Sequence, residues 1–495
     1  MKRDTLLKGG EKSKKIDLSR AKTLFLMKIM LKMLQKSFFC IFFAKNLYMS
    51  IKSSTFARKI QYEMPLRPEI FKTMLVQFKF NNYKCFKEET VFNVVASNYY
   101  REKMENLIQV PQYALLRTAA VYGANASGKT KLFQAFNFMR EVVQTSADKQ
   151  SNNWQKSYAP FLLDTYSSDH PSVFEVVFLM DGIQYRYGFE LNSERITAEW
   201  LFRKRSKEIR LLEFDGGKSI YYNEKYINSK IIKNLEEANM FRINSLIVSS
   251  LSLWNDTLSS NILNWFRRNN VISASLNTMA PRILTALELP KMKEKMINFL
   301  RSADLGIFDV TPNEISIDDL PNEIRRMLPE DAINGPIVSG ISISHKRYDE
   351  RHLPSGYVKL SLEKDESYGT YRFLSLAAPI IDALENGSVL WIDEIDNGLH
   401  YDLVRSLISL FQDPEINVRN AQLIINTHNI SLIDEADLFR RDQIFIVKKD
   451  RYGEASLIPV SDFSLRETAK VGKLYREGRF GGVPYLEKLG KNINK

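Results

Sequence analysis

Residues 123–130 read Gly123-Ala124-Asn125-Ala126-Ser127-Gly128-Lys129-Thr130, a complete G-x-x-x-x-G-K-T phosphate loop. No other stretch constrains the fold as tightly. Such a loop needs a strand before it and a helix after it, because N–H groups of the turn and the helix N-terminus must converge on a phosphate. The flanks supply both. Residues 115–122 (LLRTAAVY) read as a strand. Residues 131–143 read as an amphipathic helix, with Leu132, Phe133, Phe136, Met139 and Val143 on one face. Lys129 can reach the β- and γ-phosphates, and the Thr130 hydroxyl can hold Mg²⁺. The expected ligand is ATP with Mg²⁺.

A second half of the same site is expected downstream. Residues 388–394 read Ser-Val-Leu-Trp-Ile-Asp-Glu. A short apolar run ending in two acids is a buried parallel strand with carboxylates at its C-terminal end, where ligands of open α/β sheets bind. Asp393 is the expected Mg²⁺ ligand. Glu394 is the expected acceptor of a proton from the attacking water. Residues 422–426 (QLIIN) form another apolar run, followed by Thr427 and His428.

This order of motifs resembles the ABC-type ATPase heads of the SMC, RecF and OLD group. The resemblance implies an α/β fold, a mixed sheet with flanking helices. Strand-like alternation over 172–222, with hairpin turns at Asp181-Gly182 and Asp215-Gly216-Gly217, adds an antiparallel β extension, and 223–305 reads as a helical insertion. It assigns His428 as the switch histidine that senses the γ-phosphate. Asp396, Asn397 and Gly398 become the D-loop across a dimer interface. The familiar Leu-Ser-Gly-Gly signature is absent. Glu366-Ser367-Tyr368-Gly369-Thr370 stands in its place before an apolar helix over 373–384, so Ser367, Gly369 and Thr370 are expected to act in trans on a partner's γ-phosphate. The segments MLVQFKFNNYKCF, PFLLD, IDEIDNGLH, NTH and LYREGRFGGVP narrow the resemblance to AAA-type ATPases of bacterial anti-phage loci, of the RloA-like, abortive-infection type. That implies a homodimer or higher even oligomer working with a separate effector, a nuclease-like protein among the candidates. No nuclease motif is legible in this chain.

Composition sets the remaining bounds. Of 70 Lys+Arg and 58 Asp+Glu, residues 1–73 hold 17 and 5, leaving 53 of each in 74–495. The net charge of +12 therefore belongs to the first 73 residues, and the neutral body gives no general case for nucleic acid. Residues 24–43 are apolar but carry Lys28, Lys32 and Lys36, which argues against a membrane span. Met74 opens a strand-like segment with Val76, Phe78 and Phe80 alternating, and is the expected natural start. Two cysteines, Cys40 and Cys85, fit a reducing cytoplasm. The domain reading is a basic extension over 1–73, an N-terminal head lobe over 74–222 and a helical insertion over 223–305. A C-terminal lobe over 306–495 completes it. Two other functions fit the same motifs: a RecF-like, DNA-binding repair ATPase, and an ATP-bound scaffold with little turnover.

Overall fold

The computed structural model describes residues 73–148, 153–217, 219–315, 337–435, 438–466 and 469–483. The expected basic extension lies outside them, apart from Thr73. By its contacts the chain divides into two compact units, one holding 276–367 and the other 73–275 with 368–483. The expected lobes divided the chain at 222/223 and 305/306.

The larger unit opens with β1 (Thr73–Asn81) and β2 (Thr90–Asn93), paired antiparallel. Val76, Phe78 and Phe80 are buried. Next come β3 (Leu107–Gln109), β4 (Ala114–Leu116) and β5 (Thr118–Tyr122). The single strand expected over 115–122 is thus two. Arg117 divides it: its N–H donates to the Asn106 carbonyl and its Nε to the Glu105 carbonyl. β4 consequently pairs with β3, while β5 enters a different sheet.

The helix after the phosphate loop, α1 (Lys129–Thr145), starts two residues earlier than expected. A short α2 (Trp154–Ser157) follows. Then β6 (Ser172–Met180), β7 (Ile183–Leu191), β8 (Ile196–Lys204), β9 (Glu208–Phe214) and β10 (Tyr221–Tyr222) run as an antiparallel meander. Asp181 and Gly182, with φ of 54° and 72°, make the tight hairpin turn that the sequence announces. These strands continue outward from β1, giving the sheet order β10-β9-β8-β7-β6-β1-β2.

Three helices, α3 (Ser229–Glu237), α4 (Ile247–Leu253) and α5 (Thr257–Arg268), lead to β11 (Asn270–Ile272). The helical stretch expected over 223–305 is therefore divided by a strand. Its second part, α6 (Met279–Leu287) and α7 (Pro290–Arg301), belongs to the smaller unit. There it accompanies a three-stranded antiparallel sheet of β12 (Ile307–Ile315), β13 (Ile337–Tyr348) and β14 (Pro354–Ser361).

The chain returns to the larger unit with α8 (Tyr368–Asn386), β15 (Val389–Ile392), α9 (Tyr401–Gln412) and β16 (Gln422–Asn426). It continues through α10 (Ser431–Asp434), β17 (Ile444–Lys449), β18 (Ala455–Pro459) and α11 (Val471–Arg476). A six-stranded sheet results, ordered β11-β15-β16-β5-β17-β18 and parallel except for β18. The strands carrying the phosphate loop and the acid pair flank β16. α1 packs between the two large sheets. Phe136 stacks on Trp391 of β15 at 4.7 Å between ring centroids and meets Phe78 of β1 edge-on at 5.3 Å. Such aromatic contacts add to the area that they bury. Among the described residues no helix is long and apolar enough to cross a membrane.

Candidate functional site

The phosphate loop connects the C-terminal end of β5 to α1. Its backbone turns left-handed at Gly123 (φ 156°), Ala126 (φ 61°) and Gly128 (φ 119°). Glycine is required at both ends for want of space as well. A Cβ on Gly123 would strike the Val447 carbonyl, and one on Gly128 would come within 2.8 Å of Cys85 Sγ. The 17-residue α1 then directs its N-terminus at the loop.

Lys129 is buried, and its Nζ donates to the carbonyls of Gly123 (2.9 Å) and Ala124 (3.1 Å). Burial lowers its pKa to about 8, against the opposing pull of Glu394, Asp393 and Asp396. The Thr130 hydroxyl donates to Asp393 Oδ1 at 3.0 Å. Two hard oxygen donors so converge, the donor type that Mg²⁺ takes.

Asp393 follows directly on β15, and burial raises its pKa. Glu394 has a positive φ of 49°, a conformation that costs a bulky residue about 1–3 kcal/mol and clusters at functional sites. One side chain fixes both acids. Asn426, at the end of β16, donates through Nδ2 to Asp393 Oδ1, while its Oδ1 accepts the Glu394 N–H at 2.7 Å. Asn397 Nδ2 donates to Glu394 Oε2 at 3.1 Å. His428 presents an exposed side chain, and its N–H donates to Asp396 Oδ2 at 3.3 Å. Desolvation first, and then the Lys129 ammonium, lowers the pKa of its imidazole.

The structure therefore brings Lys129, Thr130, Asp393, Glu394, Asp396, Asn397 and His428 around the C-terminal ends of β5, β15 and β16. The other candidates lie at the start of α8, which begins at Tyr368, directly after Ser367. Gly398 packs there: a Cβ on it would strike the Tyr368 ring and sit 3.7 Å from Gly369 Cα. The sequence reading missed Asn426, although an amide closing an apolar run is a visible signal. It also missed Arg372, a fully buried cation within the apolar α8. The Arg372 guanidinium donates to the carbonyls of Asp393 (2.8 Å) and Ser273 (3.2 Å), tying α8 to the acid-bearing strand end.

A family model described as "AAA domain, putative AbiEii toxin, Type IV TA system" matches residues 119–434, more than half of the chain. The chain belongs to this AAA-domain family. The matched span of the AAA domain holds β5 from Ala119 onward, the phosphate loop, both acids and His428. No curated protein matches the chain. Among the solved structures that match, two do so at 14% identity and a TM-score of 0.34, each over 78% of this chain. They are the SMC head domain from Thermotoga maritima, covered over 98% of its length, and an SMC head bound to the C-winged helix domain of ScpA, covered over 96%. At that TM-score neither defines the topology of this AAA domain.

Proposed function

We propose that this AAA domain is a Mg²⁺-dependent ATPase that works as a switch, dimerising head to head and controlling a separate effector. The observation that carries this reading is the 3.0 Å hydrogen bond from Thr130 to Asp393, which joins a phosphate loop to an acidic strand end 263 residues away. The loop N–H groups, the α1 N-terminus and Lys129 bind the β- and γ-phosphates of ATP. Thr130 and Asp393 would hold Mg²⁺, which supplies neutralising charge beside the phosphate oxygens. Glu394 accepts the proton of the water that attacks the γ-phosphorus, and the ADP oxygen leaves in line. His428 sits beside Lys129 and bonds to the γ-phosphate once ATP is bound. Asn426 holds both acids in register.

Ser367, Gly369 and Thr370 of one protomer cover the γ-phosphate of its partner, and Asp396, Asn397 and Gly398 line the interface. Hydrolysis then loosens the two heads, and the effector reads that motion. The family description, with its putative toxin, supports a role in an abortive-infection or toxin–antitoxin setting of anti-phage defence. The binding step is tested with Lys129→Ala. Calorimetric titration with ATP should show binding lost, since the phosphates lose their charged side-chain partner in the loop. Wild-type affinity in this variant would refute the phosphate site.

A further inference from the structure

We propose that the C-terminal arm, α11 and the glycine turn after it, is a built part of the nucleotide site, with Tyr475 as the residue that positions the phosphate loop. This rests on the reading of 123–130 as a phosphate site and adds a residue to it.

The arm touches the loop at its first residue. Tyr475 is buried, its hydroxyl donates to the Gly482 carbonyl at 2.9 Å, and the Gly123 N–H faces the Tyr475 hydroxyl oxygen. One hydroxyl thus joins the opening peptide of the phosphate loop to the end of the arm. Gly482 closes the contact by packing. With φ of 71°, it lies so close that a Cβ there would sit 2.6 Å from Ile446 Cγ2 and 3.6 Å from Gly123 Cα. Only glycine satisfies both demands.

The chain reaches this position through a left-handed helix stop. Gly478 (φ 77°) donates its N–H to the Tyr475 carbonyl at 2.9 Å, and the Arg479 N–H returns to the Leu474 carbonyl at 3.1 Å. Gly481, also left-handed, then completes the reversal. The Arg-Phe-Gly-Gly segment noted in the sequence is the chemistry of this return.

The other end of the arm is anchored beyond His428. Arg476 pairs with Asp434 at 2.6 Å, and Gly472 leaves the room that the Asp434 carboxylate fills. Asp434 ends α10, the turn that follows His428. The arm therefore spans from the phosphate loop to the segment that carries the γ-phosphate sensor.

Tyr475 and Lys129 hold Gly123 by different atoms. Lys129 bonds to the Gly123 carbonyl, a contact that a phosphate competes for. The packing of Gly482 on Gly123, held by the Tyr475 hydroxyl, does not involve the ammonium, so it keeps the loop in place when Lys129 turns to a ligand. Phenylalanine would fill the same space but would take away the hydroxyl that the Gly482 carbonyl accepts from and that the Gly123 N–H faces.

The test compares three variants of the full chain at a temperature where all are folded. Tyr475→Phe should raise the KM for ATP about tenfold, and weaken binding of a fluorescent ATP analogue equally, with kcat within about twofold. Tyr187→Phe removes a buried hydroxyl bond to Glu199, away from the loop, and controls for general loss of stability. It should leave KM unchanged. An unchanged KM in Tyr475→Phe, or an equal rise in Tyr187→Phe, overturns the inference. Lys129→Ala separates the two layers. If it abolishes analogue binding while Tyr475→Phe binds normally, the arm alone is refuted. If Lys129→Ala binds normally, the phosphate site falls and the arm's role falls with it.

Discussion

The side-chain amide of Asn426 connects the two carboxylates on which the proposed chemistry depends. It donates to Asp393 and accepts from the Glu394 backbone, so no apolar isostere can replace it. Asn426→Leu should cost about 1–3 kcal/mol in urea unfolding, the range for a buried group left unsatisfied, and should lower ATP turnover by about tenfold or more. Turnover within twofold of wild type would make the bridge incidental. The loop residues 123–130 and the pair Asp393 and Glu394 were legible as local strings. Asn426 was not read as a site residue, because its role arises from β15 and β16 lying side by side, a pairing between segments some thirty residues apart. Arg372 escaped notice for a similar reason: its partners are backbone carbonyls, which carry no sequence signature.

At the scale of elements, periodicity located α1, α8, β16 and the β6–β9 meander well. It missed the break at Arg117, since β4 and β5 are both apolar and only their partner strands differ. A buried acid adds a pH dependence to the helical part. Glu199 of β8 is fully buried and caps α4, accepting the N–H groups of Ile247 and Val248 (3.0 Å) and the Tyr187 hydroxyl (2.9 Å). Burial nevertheless raises its pKa to about 7. The folded state then binds more protons than the unfolded chain between the ordinary glutamate value and 7, so stability falls as pH rises through that window. The effect is at most roughly 3 kcal/mol. Denaturant unfolding from pH 5 to 8 should show this slope in wild type and a flatter profile in Glu199→Gln. Equal slopes would place the titration elsewhere.

At the scale of the molecule, the division into 276–367 and the remainder was not legible, because helical periodicity runs through the boundary at Ser275 without a break in composition. The candidate signature lies at the second crossing, where Ser367 closes one unit and Tyr368 opens α8 in the other. If Ser367 acts on the partner's nucleotide, Ser367→Arg should leave ATP binding by the monomer intact. It should abolish ATP-dependent dimerisation, read by light scattering, and turnover with it. Normal dimerisation and turnover would remove 366–370 as the signature.

The central claim is an ATPase cycle that closes two heads and opens them by hydrolysis. Glu394→Gln tests it most directly, since the amide keeps the shape of the side chain but cannot take the proton. Sedimentation and phosphate release should be followed together in ATP and in ADP. The account predicts a stable dimer in ATP, a monomer in ADP, and hydrolysis reduced by about 10²-fold or more. Wild-type hydrolysis by a protein that stays monomeric in ATP would contradict it.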